Sequence, residues 1–138
     1  MKRVIVDTNI LFSALLGKSK KLRDVILTEK GTAFYSCKFV IVELFKYKGT
    51  IQGKSSLEED EILELLYSLL KKITIFDEES VTDENLQRAF DLCKDVDEKD
   101  IPFVSTTIEL GGSLWTKDKA LKEGLKSKGF DLFYEIEQ

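Results

Sequence analysis

Short apolar runs alternate with amphipathic stretches along this chain of 138 residues. The runs are rich in β-branched and aromatic residues, which favours strands. Predicted strands cover residues 3–6, 33–36, 73–76, 113–115 and 131–134. Apolar residues at helical spacing predict helices near residues 9–16, 20–29, 56–70, 82–93, 100–110 and 117–126. Strands that alternate with helices indicate a three-layer α/β/α fold with a parallel central sheet, here as one domain over residues 1–138.

Three of these elements carry finer predictions. Residues 39–45 suit a strand or a helix, and a helix is favoured because Phe39, Val42 and Tyr47 recur at helical spacing. Ser56 and Glu59 have the spacing of a capping box for the long helix. The helix at 82–93 is expected to bury one face, and that face carries Leu86, Ala89, Phe90 and Cys93.

Composition narrows the class of protein. Hydrophobic residues make up 43% and charged residues 33%, with one proline, which is typical of a globular protein. The apolar runs are too short to cross a bilayer, and Asp7 interrupts the run that follows Met1-Lys2-Arg3, so a cytoplasmic location is expected. Cys37 and Cys93 are expected to be buried and unpaired. The net charge of -4 argues against tight nonspecific binding of nucleic acid over the whole surface, but a local basic rim is compatible with it.

The chain has no histidine. This absence excludes Ser-His-Asp and Cys-His triads and most catalytic zinc sites. Oxygen ligands and a hard cation remain the available chemistry.

Four acidic residues stand where a buried element ends or a helix begins: Asp7, Glu43, Asp100 and Asp118. Two such carboxylates 4 Å apart would repel by roughly 4 kcal/mol at an effective dielectric near 20. A divalent cation would make the cluster favourable. Taken singly, Asp7, Asp100 and Asp118 can each be explained as a helix cap, and Glu43 as a solvent-facing helix position. Asp97 belongs to an acidic run typical of a solvated face, yet lies close enough to Asp100 to assist it.

These residues carry a resemblance to the PIN-domain family, the small metal-dependent ribonucleases that include the VapC-type toxins of prokaryotic toxin–antitoxin pairs. The opening Val4-Ile5-Val6-Asp7-Thr8-Asn9 is similar to the family's first strand and Asp-Thr-Asn. The block from Asp100-Ile101-Pro102 through Glu109-Leu110-Gly111 to Thr116-Lys117-Asp118 resembles its closing block, and Glu43 falls where the family has a helical glutamate. Ser105-Thr106-Thr107 replaces a stretch often richer in alanine, and Lys119 follows Asp118 in a lysine-rich helix. Both departures concern substrate preference more than the metal site.

The resemblance implies Mg²⁺ or Mn²⁺ held by Asp7, Glu43, Asp100 and Asp118, with Thr8, Asn9, Asp97 and Thr116 in support. It implies hydrolysis of RNA phosphodiester bonds, and it suggests an antitoxin and a second copy of the chain as partners. RNA that approaches an acidic site needs cations at its rim. The candidates are Lys18, Lys20, Lys21, Arg23, Lys46, Lys48, Lys117 and Lys119. Trp115 is expected in the core rather than as a base-stacking platform.

Three alternatives remain open from the sequence. A PIN-like module can bind RNA or protein without cutting. A phosphotransfer fold is less favoured, because the paired N-terminal acids of a receiver domain are missing and the Asp-x-Asp of a haloacid dehalogenase is replaced by Asp7-Thr8-Asn9. A Toprim domain would use Asp95-Val96-Asp97 as its Asp-x-Asp.

Overall fold

The computed structural model describes residues 1–136, and its centre is a four-stranded parallel sheet. The strands are β1 (Lys2–Val6), β2 (Thr32–Cys37), β3 (Ile73–Phe76) and β4 (Ser113–Trp115), in the spatial order β3-β2-β1-β4. In register, Val4 of β1 lies opposite Phe34 of β2 and Ser113 of β4. Val4, Ile5 and Val6 are fully buried, as expected for a central strand covered on both faces.

Seven helices connect the four strands, and an eighth follows the last strand. Two lie between β1 and β2, three between β2 and β3, and two between β3 and β4: α1 (Thr8–Leu15), α2 (Lys20–Thr28), α3 (Phe39–Lys46), α4 (Lys48–Lys54), α5 (Glu59–Lys72), α6 (Asp83–Cys93), α7 (Ile101–Leu110) and, after β4, α8 (Lys119–Lys126). Two 3₁₀ turns, Glu78–Ser80 and Glu98–Asp100, precede α6 and α7. Helices α1, α2 and α5 pack together, while α6 packs on α7 and α7 covers the sheet. The chain moves from β1 to β2 to β3 and then back past β1 to β4. Because crossovers between parallel strands are right-handed as a rule, this reversal puts the two groups of helices on opposite faces of the sheet, in agreement with the predicted three-layer architecture.

Residues 39–45 form a helix, as predicted. Val40 and Leu44 are buried four residues apart, while Ile41, Val42 and Phe45 are exposed, so one stripe of α3 faces the core. The carboxylate of Glu78 accepts hydrogen bonds from the backbone N–H groups of Lys38 and Phe39, both at 2.9 Å. This distant carboxylate satisfies the helix start that no local side chain caps.

Several predicted details were wrong. The capping box of α5 is formed by Glu58 and Glu61, because the Ser56 hydroxyl is bonded to the carbonyl of Leu16. Residues 131–134 form no strand, and only an isolated bridge joins Phe133 to Leu114. Helix α8 begins two residues later than predicted, because Asp118 caps it.

The predicted buried face of α6 was also wrong in part. Ala89 and Cys93 are buried, but Leu86 is 44% and Phe90 41% exposed, and Leu92 takes the third buried position. Helix α4 was not predicted, because its sequence carries two glycines and only Ile51 is buried.

The structure also tests the predictions on the two cysteines, on Trp115 and on membrane-spanning segments. Cys37 and Cys93 are free and buried, as predicted, and burial raises the pKa of both thiols. Trp115 lies in the core. Across residues 1–136, no helix has both the length and the apolar character that crossing a bilayer requires.

The tight approach of Gly112 to β1 predicts a large cost for one methyl group. A Cβ at Gly112 would lie 2.7 Å from the backbone oxygen of Arg3 and 2.8 Å from Cδ1 of Ile5. We expect Gly112→Ala to lower the free energy of unfolding by about 1–3 kcal/mol in chemical denaturation. Gly53→Ala is the matched control, since nothing lies within 4 Å of its Cβ and alanine favours α4. Equal midpoints for the two variants would contradict the close packing.

Candidate active site

An acidic pocket of about 420 Å³ opens at the carboxyl edge of the sheet. Asp7 follows β1, Asp118 lies shortly after β4, Glu43 stands one turn into the helix that follows β2, and Asp100 begins α7. All four predicted acids line this pocket. Its lining residues are Asp7, Thr8, Asn9, Phe12, Glu43, Tyr47, Thr50, Asp97, Lys99, Asp100 and Asp118.

Asp7 is held rigidly at the end of β1. Its backbone N–H donates to the carbonyl of Trp115 at 3.0 Å, which extends the β1–β4 pairing by one residue. Its Oδ1 accepts the N–H of Thr8 at 2.7 Å, and its Oδ2 accepts the hydroxyl of Thr116 at 2.6 Å. Burial raises the pKa of the Asp7 carboxyl to about 6, although these two hydrogen bonds act to lower it.

Asn9 and Thr116 tie the two chain segments of the pocket together. The Asn9 amide donates to Thr116 Oγ1 at 3.0 Å and to Asp7 Oδ2 at 3.3 Å. The Asn9 oxygen accepts the N–H of Lys117 at 3.0 Å, and Thr116 Oγ1 accepts the N–H of Asp118 at 3.2 Å. The opening and closing motifs are therefore one hydrogen-bonded unit.

Glu43 is half-buried and directed at the same pocket. Its Oε1 accepts the Thr8 hydroxyl at 2.5 Å. Repulsion from Glu43 contributes to the raised pKa values of both Asp7 and Asp100, so its carboxylate is electrostatically coupled to theirs. The interpretation of Glu43 as a free solvent-facing side chain is therefore wrong.

Asp100 is the most perturbed of the four. Burial raises its pKa to about 8, and repulsion from Asp7, Asp97, Asp118 and Glu43 adds to the shift. Its side chain makes no capping hydrogen bond to α7, and within the described residues its buried Oδ2 has no hydrogen-bond partner. Helix capping therefore does not explain Asp100, and its buried, unpartnered oxygen is the kind of group that a bound cation or water would satisfy.

Asp118 does cap a helix, since its Oδ1 accepts the N–H of Leu121 at 3.0 Å. Its second oxygen remains for the pocket. Asp97 also lines the pocket and accepts the N–H of Lys99, whereas Asp95 is exposed and paired with Lys128. The two acids of the Asp95-Val96-Asp97 motif therefore have different partners.

The cations predicted for the rim are not among the residues that line the pocket. None of Lys18, Lys20, Lys21, Arg23, Lys46, Lys48, Lys117 and Lys119 lines the pocket, and their role at its rim stays a prediction. Four residues that do line the pocket were not predicted from the sequence: Phe12, Tyr47, Thr50 and Lys99. Helical spacing carries a signal for two of them, because Phe12 follows Thr8 and Tyr47 follows Glu43 by four residues.

The donor set suits a hard divalent cation. Every ligating group in the pocket is an oxygen, and the buried, mutually repelling carboxylates are stabilised by positive charge. As the side chains stand, no three His, Cys, Asp or Glu groups in residues 1–136 converge closely enough to chelate one ion. Mg²⁺ does not require such a cage, because it keeps several waters and takes one or two carboxylates directly.

Comparison with known proteins decides the family. A family model described as "PIN domain" matches residues 5–134. The chain belongs to the PIN-domain family. This assignment excludes the phosphotransfer and Toprim alternatives, and the pairing of Asp95 with Lys128 agrees with it.

A solved structure shows the same fold. This PIN domain is similar to a chain in the crystal structure of VapBC2 from Rickettsia felis bound to a DNA fragment from their promoter. The TM-score is 0.64 at 16% identity, and the match covers 88% of this chain and 92% of the other. No curated protein matches the sequence.

The raised pKa of Asp100 predicts a metal-dependent stability. The folded PIN domain keeps a proton on Asp100 that the unfolded chain releases above its ordinary pKa of 3.8, so metal-free stability falls as the pH rises from there to about 8. We expect Asp100→Asn to melt roughly 3 °C or more above the wild type at pH 8 without metal, with a smaller difference at pH 5.

Millimolar Mn²⁺ should reverse this order by stabilising the wild type, by about 2.7 kcal/mol at 100 times Kd, and the variant much less. Thermal melts at both pH values, with and without Mn²⁺, measure the effect. If Mn²⁺ does not change the melting temperature of the wild type, and if wild type and variant have the same melting temperature at both pH values, a cation site at Asp100 is contradicted.

Proposed function

We propose that this PIN domain is a metal-dependent endoribonuclease in which Asp7, Glu43, Asp100 and Asp118 hold Mg²⁺ or Mn²⁺. The observation that carries the proposal is the buried, unpartnered Oδ2 of Asp100 in a pocket of coupled carboxylates. A bound cation would supply positive charge beside the scissile phosphate and lower the pKa of water. Without histidine, proton transfer falls to carboxylates and water.

The protein residues around the acids set their geometry. Thr116 and the Thr8 N–H fix both oxygens of Asp7, and the Thr8 hydroxyl fixes one oxygen of Glu43. Such fixed carboxylates need little rearrangement to meet a cation. Asp97 sits outside this set, beside Asp100, where it strengthens the negative potential.

Two aromatic side chains in the lining of the pocket favour nucleic acid as the substrate. The rings of Phe12 and Tyr47 lie edge to face, 6.1 Å apart, beside the acids. Aromatic side chains of this kind stack with unpaired bases, and RNA recognition commonly uses such stacking. A phosphodiester with an exposed base therefore matches both the chemistry and the surface of the pocket.

We further propose that the protein is the toxin of a toxin–antitoxin pair and acts in the cytoplasm. The support is the similarity to a chain of the VapBC2 complex. An apolar groove between α3, α4 and α5, lined by Leu44, Phe45, Ile62 and Leu66 among others, offers about 380 Å³ for an antitoxin or a second copy. Phe45 is 75% exposed at its edge.

The second candidate is a PIN-like module that binds a protein or RNA without cutting, and the apolar groove suits a protein partner of such a module as well. The two candidates differ in one property, because only the nuclease needs the four acids for turnover. Removal of one acid should abolish cleavage and leave binding through the groove intact.

An RNA cleavage assay separates these functions. We expect the wild type to cut a labelled mixed-sequence RNA in Mn²⁺, EDTA to stop it, and Asp7→Asn to lower the rate at least roughly 100-fold because a fixed ligand is lost. Asp95→Asn is the matched control from the nearby acidic run, since Asp95 pairs with Lys128 outside the pocket. It should keep wild-type activity.

The other outcomes are also decisive. A wild type that binds Mn²⁺ and RNA but leaves the RNA intact supports the non-catalytic module. Cleavage that persists in Asp7→Asn shows that another site, or a contaminating nuclease, is responsible.

A further inference from the structure

Among the described residues that line the acidic pocket, one side chain is positively charged. Asp7, Glu43, Asp97, Asp100 and Asp118 line it with carboxylates, and Lys99 lines it with an ammonium group. A phosphate of RNA that enters this pocket meets strong repulsion, which even one divalent ion leaves uncompensated. The position of Lys99 is therefore the place from which a protein charge can attract that phosphate.

Lys99 is placed by the same turn that places Asp100. In the 3₁₀ turn Glu98–Asp100, the N–H of Lys99 donates to Asp97 Oδ1 at 3.0 Å, and the N–H of Asp100 donates to the carbonyl of Asp97 at 3.2 Å. Asp97 therefore holds the backbone of both residues. The root of the Lys99 side chain is fixed beside the pocket, while the side chain itself is exposed.

The ammonium group of Lys99 is not engaged within the protein. It forms no ion pair with any acid of residues 1–136, although five carboxylates line the same pocket. It also lies over no aromatic ring of the described part of the chain. A solvated ammonium group is available to a ligand oxygen at little cost, because no internal contact must break.

Three of the lysines predicted for the rim are already in contact with protein groups. Lys117 Nζ donates to the hydroxyl of Ser13 at 3.2 Å. Lys46 and Lys48 lie over the rings of Tyr47 and Phe45, at 5.7 and 5.3 Å from the ring centroids. These contacts favour Lys99 over these three lysines as the phosphate-binding group, and Lys119 does not line the pocket.

We propose that Lys99 binds a phosphate of the RNA substrate next to the carboxylates, an assignment that rests on the proposed nuclease function. Lys99 then contributes to substrate binding, and the acids and their cation perform the hydrolysis. The competing explanation is that Lys99 only moderates repulsion among the carboxylates. The two explanations predict different responses to salt and to metal.

The salt dependence of RNA cleavage tests the proposal. A lysine–phosphate contact in single-stranded RNA releases one counterion, so its loss should reduce the slope of log(kcat/KM) against log[salt] by about 0.7. We expect Lys99→Met to raise KM roughly 10-fold at low salt with that smaller slope, while kcat at saturating RNA changes less than about 2-fold. Lys99→Arg should keep KM and the salt slope close to their wild-type values, because arginine retains the positive charge.

Lys94→Met is the matched control. Lys94 is exposed, lies five residues away and sits 3.9 Å from Asp91, outside the pocket. Its substitution should leave KM and the salt slope at their wild-type values. The Mn²⁺-induced rise in melting temperature, measured on the same proteins, reports the metal site separately.

If Lys99→Met leaves both KM and the salt slope of kcat/KM unchanged, the proposal is overturned. If, in addition, Mn²⁺ raises the melting temperature of Lys99→Met more than that of the wild type, Lys99 only moderates the repulsion among the carboxylates. A wild type that binds RNA without cutting it would refute the nuclease function, while the salt slope of binding still decides the role of Lys99. A wild type that binds no RNA would refute both.

Discussion

The pairing of Asp7 with the end of β4 is the interaction on which the site depends. The N–H of Asp7 bonds to the carbonyl of Trp115, and the hydroxyl of Thr116 bonds to the Asp7 carboxylate. Residues more than one hundred positions apart are thus brought to one edge of the sheet. The central position of β1, between β2 and β4, makes this possible, because Glu43 follows β2 as Asp118 follows β4.

This arrangement creates an electrostatic conflict. Asp7 and Asp100 are both buried, and the carboxylates around them repel, so the pKa of each is raised. A fold selected only for stability would not keep an unpartnered carboxylate oxygen at Asp100. In the proposed function a bound cation would resolve this conflict, so the residues that weaken the metal-free protein would provide its affinity for metal. Lys99 would supply the positive charge that attracts the substrate phosphate.

The sequence was sufficient for most of the fold. Buried β-branched runs predicted β1 to β4, and the rule that parallel strands end at one edge predicted that Asp7 and Asp118 would meet. The predicted fifth strand does not form. Residues 131–134 share only two backbone hydrogen bonds with Leu114, and the neighbouring strand β4 has only three residues with which they could pair. Helix α4 has little apolar pattern of its own, and Ser55 and Ser56 after it are bonded to the end of α1.

The site was predictable to a smaller extent. Periodicity can place Glu43 on a helix but cannot show that Thr8 bonds to it. It cannot distinguish Asp118, which caps a helix, from Asp100, which occupies a capping position without making the bond. The positions of the lysine ammonium groups were the least predictable part of the site. Whether such a group faces the pocket or a neighbouring aromatic ring depends on tertiary structure. Lys99, hidden in an acidic run, was missed for that reason.

The central claim is that the pocket formed by the four acids binds a divalent cation. An anomalous difference map from a crystal grown in Mn²⁺ tests it most directly. We predict a peak within the acidic pocket, about 2.0–2.3 Å from at least one carboxylate oxygen and within reach of Asp100 through direct or water-mediated contact. A well-ordered pocket without such a peak, in a crystal that binds Mn²⁺ elsewhere, would contradict the account.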